Sequence, residues 1–528
     1  MSWQYVFVYL IPSIVAIISL LLVNIKGTDH YYHELIIGAI KKNKNKFVLS
    51  NPNIIGENRM AYPQFLHWIL SFFDIKKITK YALWVNLLST ILSSIFLYLF
   101  INKIIEYSGN EFWIANKSKI VFSTGLAYIS FPFNYDMVNA KNTGISARGI
   151  GLFLGQLYLY LISLYFITQN HFLLIVLVPI CIIILISSAF AMQFLLFGTT
   201  IITLLSLKAV IIVPLLIAFI IIYSISKSYF KMFFVGQFTH KKLYSKYLAE
   251  RYILKSRYSI WRDLIYDFWA LLFDKNISII DKLKYITSNS IVVVISSMPF
   301  ILFSLLFLLY KNEIPYYLAY PAISCFIIFL IITFRKSRFL GEPERYLEFG
   351  FGFFSLIAAI AFFDYKVFYY ALLTYSICFV IFRLVFYINY TRKNKNVIGR
   401  NNAQEAKNKL ISIIENEKLS NVKVLSNSTQ YSKILLSTKW KTFWHPLFQE
   451  KVGSFHFIDL FEESYDYITP SKIKDVIKEL NINFFLCDFN KINSKNEFLD
   501  GLTIDNIKLS KINTFGEELI LYKICLKS

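Results

Sequence analysis

Residues 149–226 read GIGLFLGQLYLYLISLYFITQNHFLLIVLVPICIIILISSAFAMQFLLFGTTIITLLSLKAVIIVPLLIAFIIIYSIS, and only His171 and Lys208 interrupt this otherwise charge-free tract. A helix crosses the hydrocarbon layer of a bilayer with about 20 residues. The tract therefore holds three or four crossings. Four fit its polar breaks best: Gly149 to Ile167, His171 to Ser188, Ala191 to Leu207 and Ala209 to Ser226. Ordinary soluble domains do not carry apolar blocks of this length. The expected fold class is an α-helical multi-pass membrane protein.

The flanking sequence extends the same pattern. Trp3 to Val23, Tyr81 to Asn102 and the shorter Ile120 to Tyr135 precede the tract; Ile286 to Tyr310, Ile314 to Phe334, Phe349 to Phe363 and Val367 to Thr391 follow it. That makes about eleven transmembrane helices. Over 528 residues the chain is 56% hydrophobic and 18% aromatic, with a mean hydropathy of +0.51, which agrees with that class. Trp3 to Val23 has neither a short positive leader nor a small-residue cleavage pattern, so it reads as a retained helix rather than a removed signal peptide. The cysteines do not form a disulfide framework: Cys181, Cys325 and Cys378 fall inside apolar spans.

Two stretches are too short or too polar to cross. Tyr62 to Phe73 has Pro63 where a first helical turn tolerates it, and reads as a helix lying along or re-entering the interface. Lys227 to Tyr285 is aromatic and basic throughout, which suits helices resting on lipid headgroups. From about Arg392 the composition becomes that of a soluble domain: a helix over Asn402 to Glu417, a strand over Val422 to Ser426, a helix over Ser471 to Leu480, and buried strands over Asn483 to Asp488 and Leu519 to Ile524. Alternating elements predict a small α/β domain. It lacks a phosphate-cradling glycine motif and a nucleophile elbow, so a supporting or acceptor-docking role suits it. The domains expected are thus 1–391, with loops at 24–80, 132–148, 227–285 and 335–349, and 392–528.

A formal net charge of +22 is concentrated in clusters at Lys41 to Lys46, Lys227 to Lys284, Arg335 to Arg345 and Arg392 to Arg400. These patches suit anionic membrane lipid or the phosphates of a lipid-linked substrate. They punctuate spans instead of forming a recognition module, so nucleic acid is not expected as a partner.

Three loops carry the candidate chemistry. GTDHYYHE, directly after the first span, places Asp29 with His30 and His33 at its exit, where charge is costly near lipid and suggests a working site that faces water. Asp29 can act as a base or hold a divalent cation; the plainer alternative is an N-cap for a helix starting at His30. The spacing of His30, His33 and Glu34 does not match the zinc-protease motif, which needs histidines four apart. His67 sits on the apolar helix AYPQFLHWIL, either touching substrate or satisfied structurally. Asp136, in FPFNYDMVNAKNTGISARG, ends the third span as Asp29 ends the first, on the same face if the first three crossings are right. Arg148 opens the next span, and pairs with phosphate or anchors its helix at the headgroups. The third loop, RKSRFLGEPERYLEFG at Arg335 to Gly350, mixes both signs in Glu342, Glu344, Arg345 and Glu348, with Gly341 and Pro343 shaping the turn. Arg345 or Arg338 suits a leaving phosphate through forked hydrogen bonds; a purely topological basic loop needs only one sign.

Together, TDHYYHE with Asp29, YPQFLH at Tyr62 to His67, the Asp136 loop, the many spans and the soluble tail resemble the GT-C superfamily of membrane glycosyltransferases, which includes oligosaccharyltransferase catalytic subunits, protein O-mannosyltransferases and lipid A aminoarabinose transferases. The resemblance covers Trp3 to Thr391 in layout. It implies a polyprenyl-phosphate-linked sugar donor, action at the outer face of the plasma membrane, and a catalytic or metal-binding role for Asp29. The acceptor it implies is a glycan, lipid or protein of the cell envelope. Two departures stand out. The tail has no WWD-type acceptor motif, Lys439, Trp440 and Lys441 being no substitute, which argues against protein N-glycosylation. The paired first-loop acids of some members are replaced by Asp29 and His30, which bears on whether Mg or Mn serves as cofactor.

The reaction so implied has Asp29, with Asp136 as the second acid, taking a proton from an acceptor hydroxyl that attacks the anomeric carbon with inversion. His30, His33, His67, Arg148, Glu342 and Arg345 bind substrate. The basic clusters all fall on one face, which the positive-inside rule makes cytoplasmic and the resemblance makes external; phosphate-handling loops have their own reason to be basic, so the external placement of the site and the soluble domain is preferred. Two other classes share some of these features: an outer-leaflet polysaccharide polymerase, which would rely on loop arginines without Asp29, and a lipid-linked sugar flippase, which would need charges buried mid-span.

Overall fold

The computed structural model describes residues 3–22, 30–43, 63–74, 77–134, 147–243, 289–311, 314–334, 340–393, 422–426, 440–442, 473–488, 507–515 and 519–526, with shorter stretches between them. The chain forms two compact units. One comprises Met1–Ile25, Thr79–Ile225 and Ile253–Lys395; the other comprises Lys26–Ile78, Ser226–Tyr252 and Asn396–Ser528.

The first unit is helical. The charge-free tract folds into Arg148–Thr168, Phe172–Ser187, Ala189–Ser206 and Val213–Ile225, close to the four expected bounds. Two of its breaks are residues in the left-handed region, Gln169 at φ 53° and Leu207 at φ 52°, a common way to end a helix. Trp3–Leu22 and Lys117–Ile129 pack closely, because Gly125 leaves room for Tyr9, whose hydroxyl donates to the Val121 carbonyl at 2.5 Å. Among the described residues five helices are long and apolar enough to cross a membrane: Trp84–Tyr107, Arg148–Thr168, Ala189–Ser206, Tyr316–Thr333 and Lys366–Val385. The number rises to seven when each of two bent helix pairs is taken as one span.

Two expected spans take a different form. Ile286 to Tyr310 reads as one crossing, but the structure breaks it into Ser290–Ser297 and Pro299–Tyr310, bent by 86°. Pro299 has no N–H to continue the first helix and its fixed φ suits the first position of a new one; Met298 between them leaves helical geometry at φ −135° and ψ 51°. Phe351–Ala361 is only 11 residues long. At 1.5 Å per residue it spans roughly 17 Å, about half a bilayer core. Each of its residues is buried, so protein surrounds it, with Lys117–Ile129, Pro299–Tyr310 and Tyr316–Thr333 as neighbours. An element apolar on every side belongs in such a place.

The second unit joins first-loop elements to the C-terminal domain. His30–Lys42 packs on Phe65–Leu70, and Leu49–Ser50 pairs antiparallel with Arg59–Met60. Pro63 precedes the short helix instead of lying in its first turn. The C-terminal domain is built on a six-stranded sheet in the order Lys441–Thr442, Lys423–Ser426, Phe484–Asp488, Leu519–Leu526, Ile507–Phe515, Thr503–Ile504. The first three strands are parallel and the remaining pairings antiparallel. Ile473–Leu480 buries Val476, Ile477 and Leu480 and exposes Asp475, Lys478 and Glu479, the pattern of a helix covering a sheet. Asn481, at φ 56°, ends it in the left-handed region, and Ile482 N–H reaches back to the Ile477 carbonyl at 3.0 Å. The expected helix over Asn402 to Glu417 lies almost wholly outside the described residues.

Candidate functional site

The two first-loop motifs meet in the second unit. His30 opens its helix, and one turn on His33 is buried against the fully buried His67 of Phe65–Leu70. His33 Nδ1 and His67 Nε2 lie 2.8 Å apart, so one ring donates and the other accepts. Burial, with His33 beside it, holds the His67 imidazole well below its ordinary range, against an opposing backbone interaction with Pro63. His67 is therefore neutral near pH 7. Lys41 extends this helix pair by donating to the Phe73 carbonyl. Trp68 and, just past the short helix, Phe72 have ring centroids 5.1 Å apart and form an exposed aromatic edge. Asp29 itself lies outside the described residues.

The charged turn occupies the first unit. Gly341 has φ +112°, a conformation costly for any residue with a side chain, and from there the chain enters Glu344–Leu347 and the 3-10 turn Glu348–Gly350. Glu344 and Glu348, one helical turn apart, face inward at 4% and 1% exposure. Glu344 Oε2 accepts from Ser290 Oγ at 2.7 Å, and Glu348 Oε1 pairs with the Arg148 guanidinium. Gln156 Nε2 donates to the Glu348 carbonyl at 2.9 Å. The Tyr346 hydroxyl lies 2.8 Å from Gln193 Oε1 and 2.9 Å from the Leu340 carbonyl. Arg345 and Glu342 pair with each other on the other side of the turn, their side chains 32% and 14% exposed.

Arg148 thus opens its helix, as expected, but its guanidinium is buried against Glu348 and over the Phe190 ring, 5.9 Å from the centroid. Asp136 and Arg338 lie outside the described residues. Of the residues proposed from sequence, the structure brings together His33 with His67 and Glu342 with Arg345. Gln156, Gln193 and Ser290 did not stand out in the sequence as partners of the turn. One signal was there: Gln156 follows Arg148 by eight positions, which puts two polar side chains on one stripe of an otherwise apolar helix. Among the described residues no three His, Cys, Asp or Glu side chains gather as metal ligands.

No protein-family model matches the chain, and no curated protein does. Among solved structures, the chain is similar to the crystal structure of ArnT from Cupriavidus metallidurans bound to undecaprenyl phosphate, with a TM-score of 0.48 and 10% identity over 99% of this chain and 98% of that one. At 10% identity no individual residue of that protein transfers to this one.

Proposed function

We propose that this protein is an integral-membrane glycosyltransferase of the GT-C type. It moves a sugar from a polyprenyl-phosphate donor to a glycan, lipid or protein acceptor of the cell envelope, at the outer face of the plasma membrane. The observation that carries the reading is the buried contact between His33 of TDHYYHE and His67 of YPQFLH. Two motifs 34 residues apart converge in the loop that follows the first span, the arrangement expected of a built site and not of a simple connection.

In this reading Asp29 removes the proton from the acceptor hydroxyl as that oxygen attacks the anomeric carbon. The bond from carbon to the donor phosphate oxygen breaks, its electron pair leaves with the phosphate, and configuration inverts. Arg345 neutralises the departing phosphate, the larger electrostatic contribution. Asp136 is the second acid, while His30, His33 and Glu342 contact the sugar or acceptor. His67 supports His33. No step requires a metal; Mg or Mn bound by Asp29 would polarise the acceptor or phosphate oxygens.

Asp29→Asn separates this reading from a polymerase or flippase. The substitution should lower sugar transfer roughly 100- to 10,000-fold with normal membrane insertion, measured with a labelled polyprenyl-phosphate sugar and by mass spectrometry of glycans and glycolipids in cells carrying only the variant. Full activity in the variant rejects the assignment.

A further inference from the structure

We propose that Arg148 and Glu348 are positioning residues: their buried ion pair orients the 340–350 turn so that Arg345, and not the carboxylates of Glu344 and Glu348, faces the donor phosphate. This rests on the reading that Arg345 meets that phosphate, and it assigns Arg148 a different task from direct phosphate binding.

The turn is held by side chains from several helices. Ser290 reaches Glu344, Gln193 reaches Tyr346, and Arg148 and Gln156 from one helix reach the carboxylate and the carbonyl of Glu348. Residues 344 and 348 face inward, while Arg345 between them is part-exposed and pairs with the less exposed Glu342. Rotating the turn by a single residue would bury the Arg345 cation and expose Glu344, so whatever fixes the rotation also selects which charge faces out.

Stability alone does not account for the pair. A buried ion pair is often no better for stability than well-packed apolar residues of the same size. It is, however, directional, because the planar guanidinium of Arg148 donates only along its N–H bonds, and its Nη2 donates to one carboxylate oxygen, Glu348 Oε1. Glu348 Oε2 has no hydrogen-bond partner among the described residues. Removing Arg148 would therefore leave a buried carboxylate poorly compensated, and the turn would relieve that by rotating toward water.

The test is a double-mutant cycle on the full-length protein in lipid nanodiscs, reading the Kd for a radiolabelled polyprenyl phosphate. Arg345→Gln is expected to weaken binding on the order of tenfold or more, and Glu348→Gln about tenfold, while the double variant is little weaker than Arg345→Gln alone. A residue that only stabilises the fold would lower the folded fraction and leave the Kd of folded protein unchanged. Unchanged or additive binding in Glu348→Gln, with Arg345→Gln still weakened, overturns the positioning role and leaves the glycosyltransferase reading standing. Unchanged binding in Arg345→Gln overturns both the phosphate assignment and the inference. Should Glu348→Gln fail to fold, Tyr346→Phe removes one hydroxyl from the same turn; the same non-additivity with Arg345→Gln is expected, and additivity overturns the proposal.

Discussion

At the scale of single residues, the pairing of His33 with His67 makes the first loop sensitive to acid. The folded His67 imidazole holds fewer protons than it would in an unfolded segment, because burial and His33 depress its pKa. Stability of this helix pair is therefore complete above the ordinary histidine range, about 6.5, and is lost as pH falls from there toward the lower folded value. Amide exchange in Phe65–Leu70, corrected for intrinsic rates, should show protection falling between pH 7.5 and roughly 5.5, and His67→Gln should remove most of that slope. An equal slope in both proteins would place the titrating group elsewhere. The sequence marked His33 and His67 separately. It did not pair them, since the intervening residues give no periodic signal linking two short helices. The turn at 340–350 was legible as a cluster of mixed charge, but not which carboxylates turn inward; that depends on Ser290 and Arg148, 54 and 200 residues away.

At the scale of elements, apolar periodicity was enough to place the helices of the 149–226 tract within a few residues, because long charge-free runs separated by polar breaks have few alternative readings. It was not enough where the break is backbone geometry, as at Met298, or where strict alternation is broken at a register shift, as in Ile507–Phe515, which the sequence did not flag as a strand. Close approach between helices is set by single glycines. A Cβ at Gly155 would overlap the Phe349 ring, which stacks on Phe194 at 3.8 Å and leads directly into the buried Phe351–Ala361 helix. Gly155→Leu should therefore cost about 1–3 kcal/mol by overpacking, read as a lower thermal midpoint in detergent. Gly198→Ala, whose new carbon would meet only the Phe194 ring edge at 3.3 Å, should cost less. Equal loss in the two variants would mean that Phe349 moves aside freely.

At the scale of the molecule, parts distant in sequence share one compact unit: the first loop, Lys26–Ile78, groups with Asn396–Ser528. The sequence marks a change of composition near residue 392, and a compact unit begins again at Asn396, but composition carries no trace of the first loop's allegiance to the tail. The physical link is a backbone one. Ile54 bridges Thr442 in parallel, and Ile55 N–H donates to the Thr442 carbonyl at 2.9 Å, at the edge strand Lys441–Thr442. Ile54 and Ile55 are both buried there, and Thr442 Oγ1 donates to the Val424 carbonyl at 3.0 Å, tying the edge to the next strand. Strand addition of this kind supplies main-chain hydrogen bonds that do not depend on side-chain identity, which is why no motif announced it. Ile55→Pro removes the one donor that makes the bond and leaves the spans untouched. Limited proteolysis should then cut within the first loop at concentrations that spare the parent protein, and sugar transfer should fall while the thermal midpoint of the helical unit holds. If the variant resists protease and keeps its activity, the tail does not support the first loop through this edge.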